Sequence, residues 1–352
     1  MEKGKFLDTS SLNYRKEIKK KKIAGIIFAR ACCSIGIVIF HYCAHSKGNF
    51  KLLQNIANSS IGFMFVTSFF SISGFTLNYN YSSVLSVKKF YYKRWKSIFP
   101  PYYICFLYFY SKNVFYTHKL FYRGHWSKLL LTLIGLDGYF LYRTKTYYIV
   151  GEWFLGAIIM IYILYPLLSL LIRRNIYMIY FFFIFFYVFI YKVKYFVISD
   201  RRNIITCIAS FYFGMNASKY RKFSIENKKI LIISFLILLI LCTVKTSSFI
   251  LIYQIQGFCL FIILVQIGQY TFKKKMNSLI IGISNLSYSI YLFHHQIIID
   301  MIRVNNPKEW YKHLFLLSIT ILLTIICAKI HIMVVDSITN NFIYKKFESI
   351  FI

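Results

Sequence analysis

Acidic residues are scarce: the 352-residue chain holds 11 Asp and Glu against 43 Lys and Arg, and charged residues of both signs make up only 15% of it. Soluble domains carry about 25% charged residues, so composition argues against a soluble fold. Proline (4) and glycine (15) are too few for a collagen-like or linker-rich chain. The eight cysteines form no Cys-x-x-Cys pair and all lie in or at the ends of apolar runs. This excludes a disulfide scaffold or a thiolate metal site, and they read as small buried hydrophobes. What the chain has instead is apolar sequence, 58% hydrophobic and 20% aromatic. Disorder needs the opposite composition. The remaining class is a polytopic membrane protein of α-helices.

Ten runs are candidate spans: 23–44, 59–81, 98–116, 153–172, 175–191, 203–217, 229–245, 249–271, 279–300 and 313–336. The stretch 128–142 is apolar but short for a crossing, and reads as external or re-entrant. With it left out, both termini are cytoplasmic, and 25 Lys and Arg fall on the inner side against 16 on the outer, with Lys112 and Lys245 at the outer span ends counted outside, as the positive-inside rule requires. The formal charge of +32 therefore sets orientation, and no soluble basic domain exists to bind nucleic acid. Lys16 and Lys19 to Lys22 precede the first run without a small-residue cleavage site, which reads as an uncleaved first span. The expected organisation is a basic cytoplasmic segment 1–22, one membrane domain 23–336 and a cytoplasmic tail 337–352.

Ionisable residues inside spans are costly and are functional candidates. The first span holds Arg30 and His41. Eleven residues at 100° each bring His41 about 20° past three full turns, on the face of Arg30 and about 16 Å along the axis. One helix thus carries a permanent cation near the inner surface and a titratable imidazole deep in the membrane. The bland alternative is a snorkelling Arg30 and a satisfied core histidine.

Arg30-x10-His41 resembles the first-helix signature of the acyltransferase-3 membrane family. Phe69-Phe70-Ser71-Ile72-Ser73-Gly74-Phe75 is similar to its second-helix segment, and the run 90–101 (FYYKRWKSIFPP) to its basic motif with aromatic-proline. Glu152-Trp153-Phe154-Leu155, with Tyr165-Pro166 beyond, is similar to a further family helix, and the run 283–295 (ISNLSYSIYLFHH) to its double-histidine segment. The landmarks run in family order from residue 24 to 336. Three positions depart: Ser97 stands where the family often has a second Arg, Gln296 replaces a Pro after His294-His295, and Asp336, standing where the terminal helix often ends in a Glu, is followed by Ser337 and not by Arg-Pro.

The resemblance implies an enzyme that moves a short acyl group, acetyl as the simplest case, from cytoplasmic acyl-CoA to a hydroxyl of a surface polysaccharide or lipid-linked sugar. It implies a multi-pass protein of the bacterial inner membrane. Acyl-CoA is a co-substrate; no permanently bound cofactor is expected. Arg30 and His41 become the catalytic pair, with Lys93, Arg94 and Lys96 holding the donor phosphates by charge-assisted bonds. His41 suits a general base because its ordinary pKa lies near neutrality.

Ser73, Gly74, Glu152, Trp153, His294 and His295 are candidate cavity residues, each with a plainer explanation. Ser73 and Gly74 could be helix-packing residues. Glu152 could cap a helix, and Trp153 could be an interfacial belt residue. His294 and His295 diverge by 100° on a helix, so only one is expected to face the site. His41 and His45 at i, i+4 could chelate a metal, but no nearby carboxylate completes a site and none is expected. Asp300, Asp336 and Lys329 are expected to be paired or near-interface residues. The competing functional class is a transporter or flippase for a glycolipid or small solute. It would use intramembrane charges equally well, but the chain shows no repeated half-structure.

Overall fold

Apolar runs of span length with almost no proline favour helix, and in the computed structural model no strand occurs among the described residues. The structure describes residues 23–46, 51–81, 85–121, 124–174, 183, 185–189, 197–243, 250–272, 275, 277–305 and 307–340. The helices are α1 (Ala24–His45), α2 (Lys51–Asn58), α3 (Ile61–Asn80), α4 (Val87–Thr117), α5 (Leu129–Leu133), α6 (Glu152–Arg174), α7 (Ile204–Lys219), α8 (Arg221–Ser224), α9 (Lys228–Thr243), α10 (Ile250–Thr271), α11 (Ser278–Asn305) and α12 (Trp310–Thr339). Nine of the ten expected spans fall on these helices. The tenth, 175–191, lies mostly outside the described residues, as do segment 1–22 and most of the tail.

Among the described residues, five helices are long and apolar enough to cross a membrane: α1, α3, α6, α10 and α12. The others fall short for identifiable reasons. Helices α7 and α9 have 16 residues each, about 24 Å of rise. Helix α4 begins with the basic run around Arg94, and α11 carries Asn285, His294, His295 and Gln296. These polar residues lower the hydropathy of both helices, and Arg94, Asn285 and His294 among them line a cavity.

Small residues set the tightest packing, as expected between membrane helices. A Cβ built on Gly74 of α3 would lie 1.9 Å from the Phe211 carbonyl oxygen of α7, and one on Gly214 equally close to the Ser71 carbonyl oxygen. Ser71 Oγ donates to the Ser210 carbonyl at 3.0 Å across the same seam. Gly74 is thus a packing residue and leaves the list of cavity candidates. Helix α1 sits centrally, against α3, α10 and α11.

The stretch 128–142 is not a span. It holds the five-residue α5 between two 3-10 turns, and Gly135 at φ +70° ends α5 where a side chain would be strained. Buried Asp137 fastens this loop. Its Oδ1 accepts from Gly138 N (2.9 Å) and Tyr102 OH of α4 (3.4 Å), and its Oδ2 from Thr132 Oγ1 (3.2 Å).

Burial raises the Asp137 pKa from 3.8 to about 6, against the pull of those hydrogen bonds. A carboxyl whose folded pKa is raised favours the fold while protonated. That contribution is complete below about pH 4 and is lost as pH rises through 6. Thermal unfolding of the purified chain is therefore expected to show a melting temperature that falls between pH 4 and pH 7, and Asp137→Asn to flatten that slope. An unchanged slope in the variant would remove Asp137 as its cause.

Candidate active site

Arg30 and His41 both line one cavity of about 900 Å³, on the single face that their spacing requires. Arg30 Nη2 donates to Thr76 Oγ1 of α3 at 3.4 Å. Arg94 of α4 lines the same cavity, its guanidinium 5.8 Å from the Tyr162 ring centroid. Its buried Nε has no hydrogen-bond partner among the described residues. Lys93 and Lys96 do not line the cavity. They are turned about 100° and 200° from Arg94 around the helix, so direct donor contacts from them are not part of this geometry. Ser97 is within 60° of Arg94 and does line the cavity. The departure from the paired-arginine pattern thus falls on the face where a second cation would have pointed inward.

The other end of the Arg30–His41 face holds an unexpected cluster. Glu152 Oε1 lies 3.1 Å from His295 Nε2, 3.6 Å from His41 Nε2 and 3.7 Å from His294 Nε2. His41 Nδ1 lies 3.2 Å from His295 Nε2, which in turn lies 3.2 Å from His45 Nε2. Of the two adjacent histidines, His294 lines the cavity and His295 does not, as their 100° divergence predicts. Their Cβ directions diverge, but Glu152 enters from α6 and is reached by both rings. The expectation that no nearby carboxylate stands with these histidines is corrected: Glu152, distant in sequence, lies 3.6 Å from His41. Among the described residues, two sets of groups could hold a metal ion: His41 with His45 and His295, and His41 with Glu152 and His294.

Backbone detail holds Glu152 in place. It begins α6 at φ +25°, next to Gly151 at φ +85°. A non-glycine residue at positive φ is uncommon and costs about 1–3 kcal/mol. Tyr291 of α11 clamps this turn: its hydroxyl donates to the Gly151 carbonyl and accepts from Leu155 N. Gln296, which departs from the family's proline, donates to the Ile149 carbonyl at 2.8 Å and ties α11 to the same segment. The helix-cap explanation of Glu152 is therefore incomplete, because its carboxylate also faces three imidazoles.

His294 is almost fully buried, and its Nδ1 lies 2.7 Å from the Tyr291 carbonyl oxygen. A carbonyl only accepts, so Nδ1 carries the hydrogen and Nε2 presents a lone pair to the cavity. Ser73 and Trp153 line the cavity too. Arg201 and Arg202, just before α7, also line it and were not marked by any motif. Arg202 lies over Trp153 at 5.9 Å and Arg201 over Tyr253 at 4.7 Å. Asp300 is paired with Lys112 and Arg303, as expected of a structural residue.

A passage with Arg30 and Arg94 toward one end and an imidazole–carboxylate cluster, with Arg202 beside Trp153, toward the other suits group transfer between two substrates. No curated protein and no solved structure matches the chain. The family model described as an acyltransferase domain matches residues 23–330, and the chain belongs to that family, acyltransferase family 3, as a membrane acyltransferase.

Proposed function

We propose that the chain transfers a short acyl group, acetyl as the simplest case, from acyl-CoA to a hydroxyl of a surface polysaccharide or lipid-linked sugar. The observation that carries this reading is the single cavity that touches Arg30 and Arg94 as well as His41, Glu152 and His294. CoA is polyanionic with a long flexible arm. Arg94 and Arg30 would meet its phosphates by charge-assisted bonds, and the arm would extend along the α1 face toward His41.

At the far end His41 Nε2 takes the proton of the acceptor hydroxyl as the oxygen attacks the thioester carbonyl. The His41 Nδ1 hydrogen then points to His295 Nε2, 3.2 Å away. The Glu152 carboxylate, 3.6 Å from Nε2, stabilises the imidazolium that forms. Collapse of the tetrahedral intermediate expels the CoA thiolate, which receives the proton. Arg201 and Arg202, with the Trp153 ring, give the cavity wall the chemistry to hold a sugar bearing a carboxylate or phosphate.

Purified protein given acetyl-CoA and an acidic glycan acceptor is expected to release free CoA in step with acylated acceptor. A transporter would release none, and no CoA release under any acceptor would overturn the reading.

The proposed topology has ten spans with both termini cytoplasmic in the bacterial inner membrane, which puts 117–151 outside or re-entrant. Lys119 is exposed beyond the end of α4. Lys119→Cys is expected to react with a membrane-impermeant maleimide added to intact cells. Labelling only from the cytoplasmic face of inverted vesicles would reject this orientation.

A further inference from the structure

We propose a binding site for a divalent transition ion, with zinc the best fit, formed by His41 Nδ1, His45 Nε2 and His295 Nε2. The site holds the nitrogen of His41 opposite to the one that serves acyl transfer. The argument starts from a proton count. His295 Nε2 has three polar neighbours: Glu152 Oε1 at 3.1 Å, His41 Nδ1 at 3.2 Å and His45 Nε2 at 3.2 Å. An imidazole nitrogen offers either one hydrogen or one lone pair. If it carries the hydrogen, that hydrogen serves one neighbour and the others face the same N–H. If it carries the lone pair, the two imidazoles can donate, but the Glu152 oxygen faces a lone pair. No tautomer makes all three contacts favourable.

A cation removes the conflict, because each ligand nitrogen then turns a lone pair toward it. The spacing fits. Zn–N bonds of about 2.0–2.1 Å at tetrahedral angles place ligand nitrogens about 3.3 Å apart, and two of the pairs lie at 3.2 Å. The three nitrogens all lie within 4.8 Å of one another. Imidazole suits zinc, copper and nickel, whereas magnesium and calcium want oxygen. His41 and His45 share one face of α1 at i, i+4, and His295 closes the site from α11. His45 has no part in the acyl-transfer scheme and does not line the cavity.

The consequence for activity rests on the reading of His41 as base. A neutral imidazole ligating through Nδ1 carries its only hydrogen on Nε2. It cannot then accept the acceptor's proton, so the bound ion switches transfer off.

The test uses the purified full-length chain, stripped with chelator and titrated with zinc. Zinc content is read by mass spectrometry and ligation by X-ray absorption. One zinc per chain with imidazole scattering is expected, and His45→Gln is expected to weaken binding by at least ~10-fold and to relieve zinc inhibition of CoA release. Wild-type protein that retains no zinc would overturn the site, whatever any variant does. So would zinc lost on His294→Gln but kept on His45→Gln, which would put the ion on the cavity side with Glu152. Zinc bound through His45 with transfer unimpaired would leave the site standing and overturn the assignment of His41 Nε2 as base.

Discussion

His41→Gln is expected to lower acyl transfer by about 10²–10⁴-fold, the usual contribution of a positioned general base. Glutamine keeps a hydrogen-bonding group of similar reach but takes no proton at neutral pH. His41 is 18% exposed at the side chain and packs among other polar groups, so the replacement leaves no bare cavity. Membrane abundance must be measured beside the rate of CoA release, because loss of both would report folding. The sharpest competitor is His294, whose Nε2 lone pair is fixed by the Nδ1 bond to the Tyr291 carbonyl. Near-native rates in His41→Gln with loss in His294→Gln would move proton abstraction to His294. The Arg30–His41 pair would then be a packing and charge feature of α1.

The helices were legible because each needs only its own residues. Apolar length predicts a helix, and 3.6-residue periodicity puts Arg30 and His41 on one face, where both line the cavity. What crosses between helices was not legible. Glu152 begins an apolar helix and looks like an ordinary cap from its neighbours alone. Only the fold shows that α6 starts beside the histidines of α1 and α11. The rule that adjacent residues diverge by 100° held, since His294 lines the cavity and His295 does not, but it could not show that a third helix supplies a carboxylate near both rings. Gly74 shows the converse. A small residue in a motif can mark backbone contact with α7, and nothing in α3 alone tells packing from cavity lining. Arg201 and Arg202 lie in a connecting segment with no periodicity to place them, and only their arrival at the cavity reveals them.

Arg94→Ala is expected to weaken use of the acyl-CoA donor by about 1.5–3 kcal/mol, roughly 10- to 150-fold, the range for a charge-assisted bond to an anion. The motivation is a guanidinium that lines the cavity with its buried Nε unpartnered among the described residues. Such a group is stabilised when an anion arrives. The loss should appear as a raised donor KM, since Arg94 is remote along the α1 axis from the His41 end where bonds change. Lys93→Ala and Lys96→Ala provide the control. They remove the same charge from the same turn of α4 but from faces that do not line the cavity, so each should change donor KM far less. Net surface charge alone would make all three variants equal. Ser97→Arg tests the geometry in the other direction. It restores a second cation on the cavity face and is expected to lower donor KM while leaving His41 chemistry alone. Equal losses in Arg94→Ala and Lys93→Ala, with no response to Ser97→Arg, would place the donor on the outer face of α4 and sever the cavity from the CoA phosphates. A large loss confined to Arg94 ties the donor to the passage that ends at His41, because Arg94 reaches the donor only through that cavity.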